Sequence, residues 1–173
     1  MTKILAIVGD APNQVALINK LQNVRAIDHL VLIKKHGRRR SKKSIQQLLV
    51  SATVNLPFRV AWQHLLTHYS SQYELPKIEI SYASSANDQT VSDLVKKMEP
   101  NLVLVSGTDL LRDEIINEVH SHGRIMNLHT GISPYIKGGP NCTNWAIYLN
   151  RFDLIGNTIM WLDAGIDTGD ILS

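Results

Sequence analysis

The chain has 173 residues, of which 44% are hydrophobic and 19% are charged, a balance that predicts one folded domain and excludes disordered and fibrous designs. A single cysteine excludes an internal disulfide, and the sequence has no secretory leader pattern and no membrane-spanning apolar run, so we expect a cytoplasmic protein without a membrane partner. The net charge is +3, but seven of the 18 basic residues lie between Lys34 and Lys43, so no basic face for nucleic acid is predicted.

Short apolar runs alternate with helical periodicity along the chain. Strands are predicted at residues 3–8, 29–34, 78–82, 102–106, 124–128 and 158–163. Helices are predicted at residues 13–24, 87–98, 113–122 and 143–149, with Asn87 or Asp88 capping the second, and a longer helical stretch over residues 41–73 is interrupted at Pro57. This alternation predicts a Rossmann-like, doubly wound α/β fold with a mostly parallel sheet and helices on both faces. Residues 102–106 are apolar on both sides, which favours a central strand.

Ligands of open α/β sheets bind outside the carboxyl ends of the strands. Three polar segments follow predicted strands there, at residues 9–13, 107–109 and 127–130. The first lacks the glycine spacing of a dinucleotide site, because Ala11 and Gln14 stand where its second and third glycines belong. We therefore predict no nicotinamide site.

The third polar segment places two reactive side chains on one side of the chain. Residues two apart in an extended chain point the same way, so Asn127 and His129 are expected to face one cleft. An amide N–H can stabilise an oxyanion, and an imidazole can accept a proton from a nucleophile. The alternative is that both side chains satisfy backbone groups at a strand end.

Two longer motifs carry a resemblance to a known family. Residues 127–138 read NLHTGISPYIKG, and residues 163–172 read DAGIDTGDIL. An N-x-H strand end, a loop closing on S-P-x-x-K-G and a later D-x-G-x-D-T-G turn resemble the folate-dependent formyltransferases. The resemblance implies that residues 1–173 form one catalytic domain of the family's N-terminal type, shortened at its C-terminus.

The resemblance also implies roles for individual residues. Asn127 would bind the formyl oxygen, His129 would act as general base and oxyanion partner, and Asp167 would control the protonation of the histidine and order a water. The formyl donor would be 10-formyltetrahydrofolate, with its pterin against residues 107–111. Gly107, the backbones of Asp109 and Leu111, and Asp167 would bind this donor. No metal site is implied.

Three amine acceptors are open. The N-L-H, Pro134-Tyr135 and Asn144-Trp145 pattern is similar to that of sugar N-formyltransferases and favours a nucleotide-linked amino sugar. Glycinamide ribonucleotide is less favoured, because the segment after the first strand is a poor phosphate loop. Methionyl-tRNA is less favoured because no nucleic-acid-binding domain follows Ser173. On the preferred interpretation, residues 34–43 attract a diphosphate; a solvated charged face is the alternative.

The chain ends six residues after Asp167. We expect a sheet edge left open near the site, which would favour a homodimer or lower stability. A non-catalytic folate- or nucleotide-binding protein is therefore the alternative of a different class.

The remaining candidate residues are given structural interpretations. Trp145, Trp161 and Tyr135 could stack on a ligand, but a core position is preferred. His64 and His68 are expected on a helix surface, and His120 and His122 near a helix end. Cys142 is expected beside the cleft, with no base partner and inert.

Overall fold

The computed structural model describes residues 2–34, 55–138 and 141–173. The part of the helical prediction that covers residues 41–54, and the basic residues between Lys35 and Lys43, lie outside these described residues. Within them, no helix has the length and apolar character needed to cross a membrane.

One six-stranded sheet organises the molecule. Its strands are β1 (Ile4–Gly9), β2 (His29–Ile33), β3 (Glu79–Ala83), β4 (Leu102–Ser106), β5 (Arg124–His129) and β6 (Thr158–Trp161). They lie in the order β3-β2-β1-β4-β5-β6, and every neighbouring pair is parallel except β5 and β6. All six predicted strands are present, and the strand predicted to be central, β4, pairs with both β1 and β5.

Helices cover both faces of the sheet, as the alternating pattern predicted. They are α1 (Pro12–Gln22), α2 (Asn55–Gln72), α3 (Gln89–Met98), α4 (Asp113–His120) and α5 (Cys142–Tyr148), with a 3-10 turn at Phe152–Leu154. The predicted interruption at Pro57 stays a prediction, because the residues before Asn55 to which it refers lie outside the described ones; α2 as described includes Pro57 in its first turn.

The alternation of side chains along β1 builds two apolar layers. Leu5 and Ile7 pack on one face with Val91 and Val95 of α3. Ala6 and Val8 pack on the other face with Ile18 of α1. Full burial of one such aliphatic side chain stabilises the fold by roughly 1.5–3 kcal/mol, so the two layers hold the carboxyl ends of the central strands in a fixed register.

The outer side of β6 is paired with residues 170–173. The Trp161 N–H donates to the Asp170 carbonyl oxygen at 2.9 Å, the Leu172 N–H donates to the Ile159 carbonyl oxygen at 2.7 Å, and the Ile159 N–H donates to the Ser173 carbonyl oxygen at 2.7 Å. Within the described residues β6 is therefore not the outermost segment of the sheet, and the homodimer stays a prediction.

Candidate active site

Two of the three polar segments at the carboxyl edge of the sheet, residues 107–109 and 127–130, line a cavity of about 670 Å³, whereas residues 9–13 do not. Its walls come from Gln14 at the start of α1, from residues 106–111 after β4, from residues 127–130 at the end of β5, and from residues 160–169 after β6. The volume lies in the usual range for small-molecule sites. The cavity thus lies at the carboxyl ends of the strands, where the sequence analysis expected a ligand to bind.

Asn127, His129 and Asp167 meet at the wall of this cavity. The Asp167 Oδ2 atom lies 3.3 Å from His129 Nδ1, and Asn127 Nδ2 donates to Asp167 Oδ1 at a long 3.4 Å. A third donor, the Gly138 backbone N–H, lies 2.8 Å from Asp167 Oδ2. The structure therefore brings together a carboxamide, an imidazole and a carboxylate that are up to 40 residues apart.

The turn that presents Asp167 is held by another carboxylate. Asp163 Oδ1 accepts hydrogen bonds from the Gly165 N–H at 3.0 Å and from the Thr168 hydroxyl at 2.7 Å. Asp167 itself has a φ of 50°, in the left-handed region that aspartate tolerates better than most residues. Asp163 is the first residue of the D-x-G-x-D-T-G motif, and the sequence analysis gave it no role. An aspartate two residues before a glycine is typical of such a turn, because its side chain accepts a hydrogen bond from the backbone two residues on.

Both ring nitrogens of His129 face hydrogen-bond acceptors. Nδ1 faces the Asp167 carboxylate, and Nε2 lies 3.1 Å from the Ile136 carbonyl oxygen. The side chain is only 8% exposed. A neutral imidazole has one N–H to donate, whereas a ring that has taken up a second proton donates to both acceptors. Each ring nitrogen therefore has a hydrogen-bond acceptor within the site.

Cys142 lies against the same imidazole, which corrects the prediction that it has no base partner. Its Sγ atom is 3.8 Å from His129 Nε2, and the thiol donates to the Gly138 carbonyl oxygen at 3.3 Å. Burial, and secondly the negative charge of Asp167, raise the pKa of the Cys142 thiol. The prediction of low reactivity therefore has a physical basis in the structure, although the surroundings differ from those expected.

We expect native Cys142 to react with iodoacetamide at least roughly tenfold more slowly at pH 7 than the guanidinium-unfolded chain, because the thiolate is the nucleophile and this thiol is buried. Raising the pH should accelerate the native reaction beyond the pH at which an ordinary cysteine is fully ionised. Mass spectrometry of this single cysteine measures both rates. Equal rates in the native and unfolded chains would contradict the described surroundings.

The segment after β4 forms a second wall of the cavity. Gly107 has a φ of 66°, in the left-handed region that favours glycine. Leu111 packs its side chain against the core between the sheet, α3 and α4. Asp109 directs its carboxylate to the Ser85–Asn87 turn.

Several aromatic and histidine predictions can be compared with the structure. The preferred core position is wrong for Trp145 and Tyr135, which are 58% and 70% exposed. It holds in part for Trp161, which is half-buried. His64 and His68 are exposed on α2 as predicted, and His120 is the last residue of α4. The described ranges contain no group of three or more metal-ligating side chains.

The family model described as formyl transferase matches residues 2–173 of this chain. Curated relatives include the methionyl-tRNA formyltransferases of Clostridium tetani and Finegoldia magna. The first is 34% identical over 86 residues, which are 50% of this chain and 27% of the relative. The second is 31% identical over 97 residues, or 56% of this chain and 30% of the relative. The matches therefore span about a quarter to a third of these longer proteins.

Two solved structures share the fold. Phosphoribosylglycinamide formyltransferase from Anaplasma phagocytophilum has a TM-score of 0.62 and 16% identity, over 99% of this chain and 70% of that one. A candidate sugar N-formyltransferase from Mycobacterium tuberculosis has a TM-score of 0.57 and 18% identity, over 100% of this chain and 53% of that one. At these identities the comparison concerns the Rossmann-like architecture alone.

Proposed function

Because the chain belongs to the formyl transferase family, we propose that it transfers a formyl group from 10-formyltetrahydrofolate to a primary amine, and that residues 1–173 act as one catalytic domain. The observation that carries this proposal is the contact of the Asp167 carboxylate with both Asn127 and His129 at the wall of the cavity. This geometry combines Asn127, a hydrogen-bond donor that can stabilise an oxyanion, with His129, a group that can accept a proton.

The residues around the cavity fit such a donor. A volume of about 670 Å³ admits a bicyclic ring with its one-carbon group. Gly107, Asp109, Leu111 and Asp167 all line the cavity, and the backbone groups of the first three are proposed to bind the ring. Bound there, the donor supplies a formyl carbon attached to a weakly basic aryl nitrogen, which is a good leaving group.

Asn127 is proposed to stabilise the charge on the formyl oxygen. Its Nδ2 atom carries two N–H groups, and the bond to Asp167 at 3.4 Å is long, so one N–H can be turned to the oxygen. Negative charge develops there as the amine attacks, and a preorganised donor in such a position contributes about 3–4 kcal/mol to lowering the barrier.

His129 is proposed to accept the proton that the attacking amine loses. The doubly protonated ring that results is held by Asp167 on one nitrogen and by the Ile136 carbonyl on the other. The same proton then passes to the departing donor nitrogen, so one C–N bond forms, one breaks and the ring returns to its neutral form. Asp167 controls this exchange through its charge and orders a water beside the ring.

The acceptor proposed is the amino group of a nucleotide-linked sugar. This preference rests on the N-L-H, Pro134-Tyr135 and Asn144-Trp145 pattern, and Trp145 and Tyr135 are exposed, so they are available to a ligand or a partner. Methionyl-tRNA is the second candidate, because the curated relatives at 34% and 31% identity are methionyl-tRNA formyltransferases. Glycinamide ribonucleotide is the least favoured, because the segment after β1 has one glycine, Gly9, and the acidic Asp10.

An acceptor panel tests this function. The chain is incubated with 10-formyltetrahydrofolate and, separately, with amino-sugar nucleotides, methionyl-tRNA or glycinamide ribonucleotide, and the release of tetrahydrofolate is followed. Release that requires an amino-sugar nucleotide supports the proposal, and release only with methionyl-tRNA selects the second candidate. Saturable donor binding without release under any condition selects the non-catalytic alternative, and absence of donor binding overturns the folate assignment.

A further inference from the structure

Two side chains outside the Asn127, His129 and Asp167 cluster tie the cavity wall after β4 to the turn after β3. Asp109 lies on the first segment and Asn87 on the second. The Asp109 carboxylate accepts hydrogen bonds from the Ala86 N–H at 2.9 Å and from the Ser85 hydroxyl at 2.5 Å. Burial raises the pKa of this carboxyl, but the hydrogen bonds from Ala86, Ser85 and Asn87 outweigh it and hold the pKa below its usual value.

The Asn87 side chain does not act as the predicted cap of α3, because its amide reaches across to the other segment. Its Nδ2 atom donates to the Leu110 carbonyl oxygen at 2.8 Å and to Asp109 Oδ2 at 3.1 Å. Its Oδ1 atom accepts from the Arg112 N–H at 2.7 Å. One planar amide thus uses both of its ends on the backbone groups that flank Leu111.

This arrangement fixes the residue between the two bonds. The Leu110 carbonyl and the Arg112 N–H are held by the same amide, and the Leu111 side chain is packed in the core. The peptide groups on both sides of Leu111 therefore have one orientation, set from a turn 22–25 residues earlier in the chain. Because Leu111 also lines the cavity, these bonds fix the geometry of the wall at this residue.

We propose that Asn87 is a positioning residue for the formyl donor, which through Asp109, Leu110 and Arg112 holds the backbone of residues 109–112 in the geometry that binds the donor's ring. This inference rests on the proposed function, because it takes the ligand of this wall to be 10-formyltetrahydrofolate. Asn87 itself need not touch the donor. When residues 109–112 are already ordered in the free protein, none of the binding free energy of the donor is used to order them. Loss of the Asn87 amide therefore weakens donor binding and leaves the chemical step unchanged.

The experiment measures the Kd of 10-formyltetrahydrofolate by calorimetry in the absence of an acceptor. We expect about tenfold weaker binding for Asn87→Asp, which keeps the acceptor for the Arg112 N–H but loses both donated hydrogen bonds and faces Asp109 with a second negative charge. In turnover, the donor KM should rise by a similar factor at unchanged kcat. Asn117→Ala, on the exposed side of α4, is the matched control and should bind as the unaltered chain does.

A double variant separates positioning from general destabilisation. In Asn87→Asp combined with Asp109→Asn the donor and acceptor exchange places, so the bond between residues 87 and 109 reforms without repulsion. The donor Kd should recover by several-fold.

Each outcome has a distinct meaning. Unaltered donor affinity in Asn87→Asp overturns the positioning role while the proposed function stands. A lowered kcat with an unchanged donor KM, or a lower melting temperature with no recovery in the double variant, also overturns it. If the unaltered chain itself does not bind 10-formyltetrahydrofolate, the proposed function fails, and the inference fails with it.

Discussion

Replacing His129 with glutamine is expected to lower kcat for formyl transfer by about 10³-fold, with little change in the Kd of the donor. Glutamine keeps a polar group of similar length beside Asp167 but can neither accept the amine proton nor carry a positive charge. Loss of a general base costs about 10²–10⁴ in rate, and loss of a cation near the developing oxyanion adds to this.

Formation of tetrahydrofolate under single-turnover conditions with the best acceptor of the panel measures the effect of His129→Gln. His64→Gln, at an exposed position on α2, is the matched control and should retain full activity. A fall in melting temperature of less than a few degrees would establish that the buried site still folds. Turnover within threefold of the unaltered chain would remove His129 from the mechanism.

Replacing Asp167 with asparagine should lower kcat/KM by about 10³-fold and abolish the charge control over His129. The carboxylate is the acceptor for three groups, the His129 ring, the Asn127 amide and the Gly138 N–H. Asparagine preserves the shape and tolerates the φ of 50°. It has one oxygen acceptor instead of two, and it bears no charge to stabilise the protonated ring.

The comparison for Asp167→Asn is Asp170→Asn, because Asp170 is an exposed carboxylate on the same segment and its backbone bond to Trp161 does not depend on its side chain. The release of tetrahydrofolate under single-turnover conditions measures both variants. It should slow in Asp167→Asn and keep the rate of the unaltered chain in Asp170→Asn. Full activity of Asp167→Asn would contradict the proposed role of Asp167.

Much of the fold could be predicted because hydrophobic periodicity is local. The run LVLVS was predicted as a central strand, and β4 occupies those residues between β1 and β5. The pair Asn127 and His129 could be predicted as neighbours on one side because the side-chain period of a strand is two residues. The exposed positions of Trp145 and Tyr135 could not, because residue type alone favours burial.

The order of elements, the doubly wound sheet and the pairing of Asn127 with His129 were determined by the sequence itself, since they follow from short patterns of residue types, whereas Asp167 was indicated by the resemblance to the formyltransferases. The tertiary structure alone decided that Asp167 lies 3.3 Å from His129, that the Ile136 carbonyl and Cys142 thiol contact the same ring, and that residues 170–173 pair with β6. Backbone groups carry no residue-specific signal, and contacts across tens of residues depend on strand register and turn geometry. No local pattern encodes these, so the surroundings of the site became known only once the chain was folded.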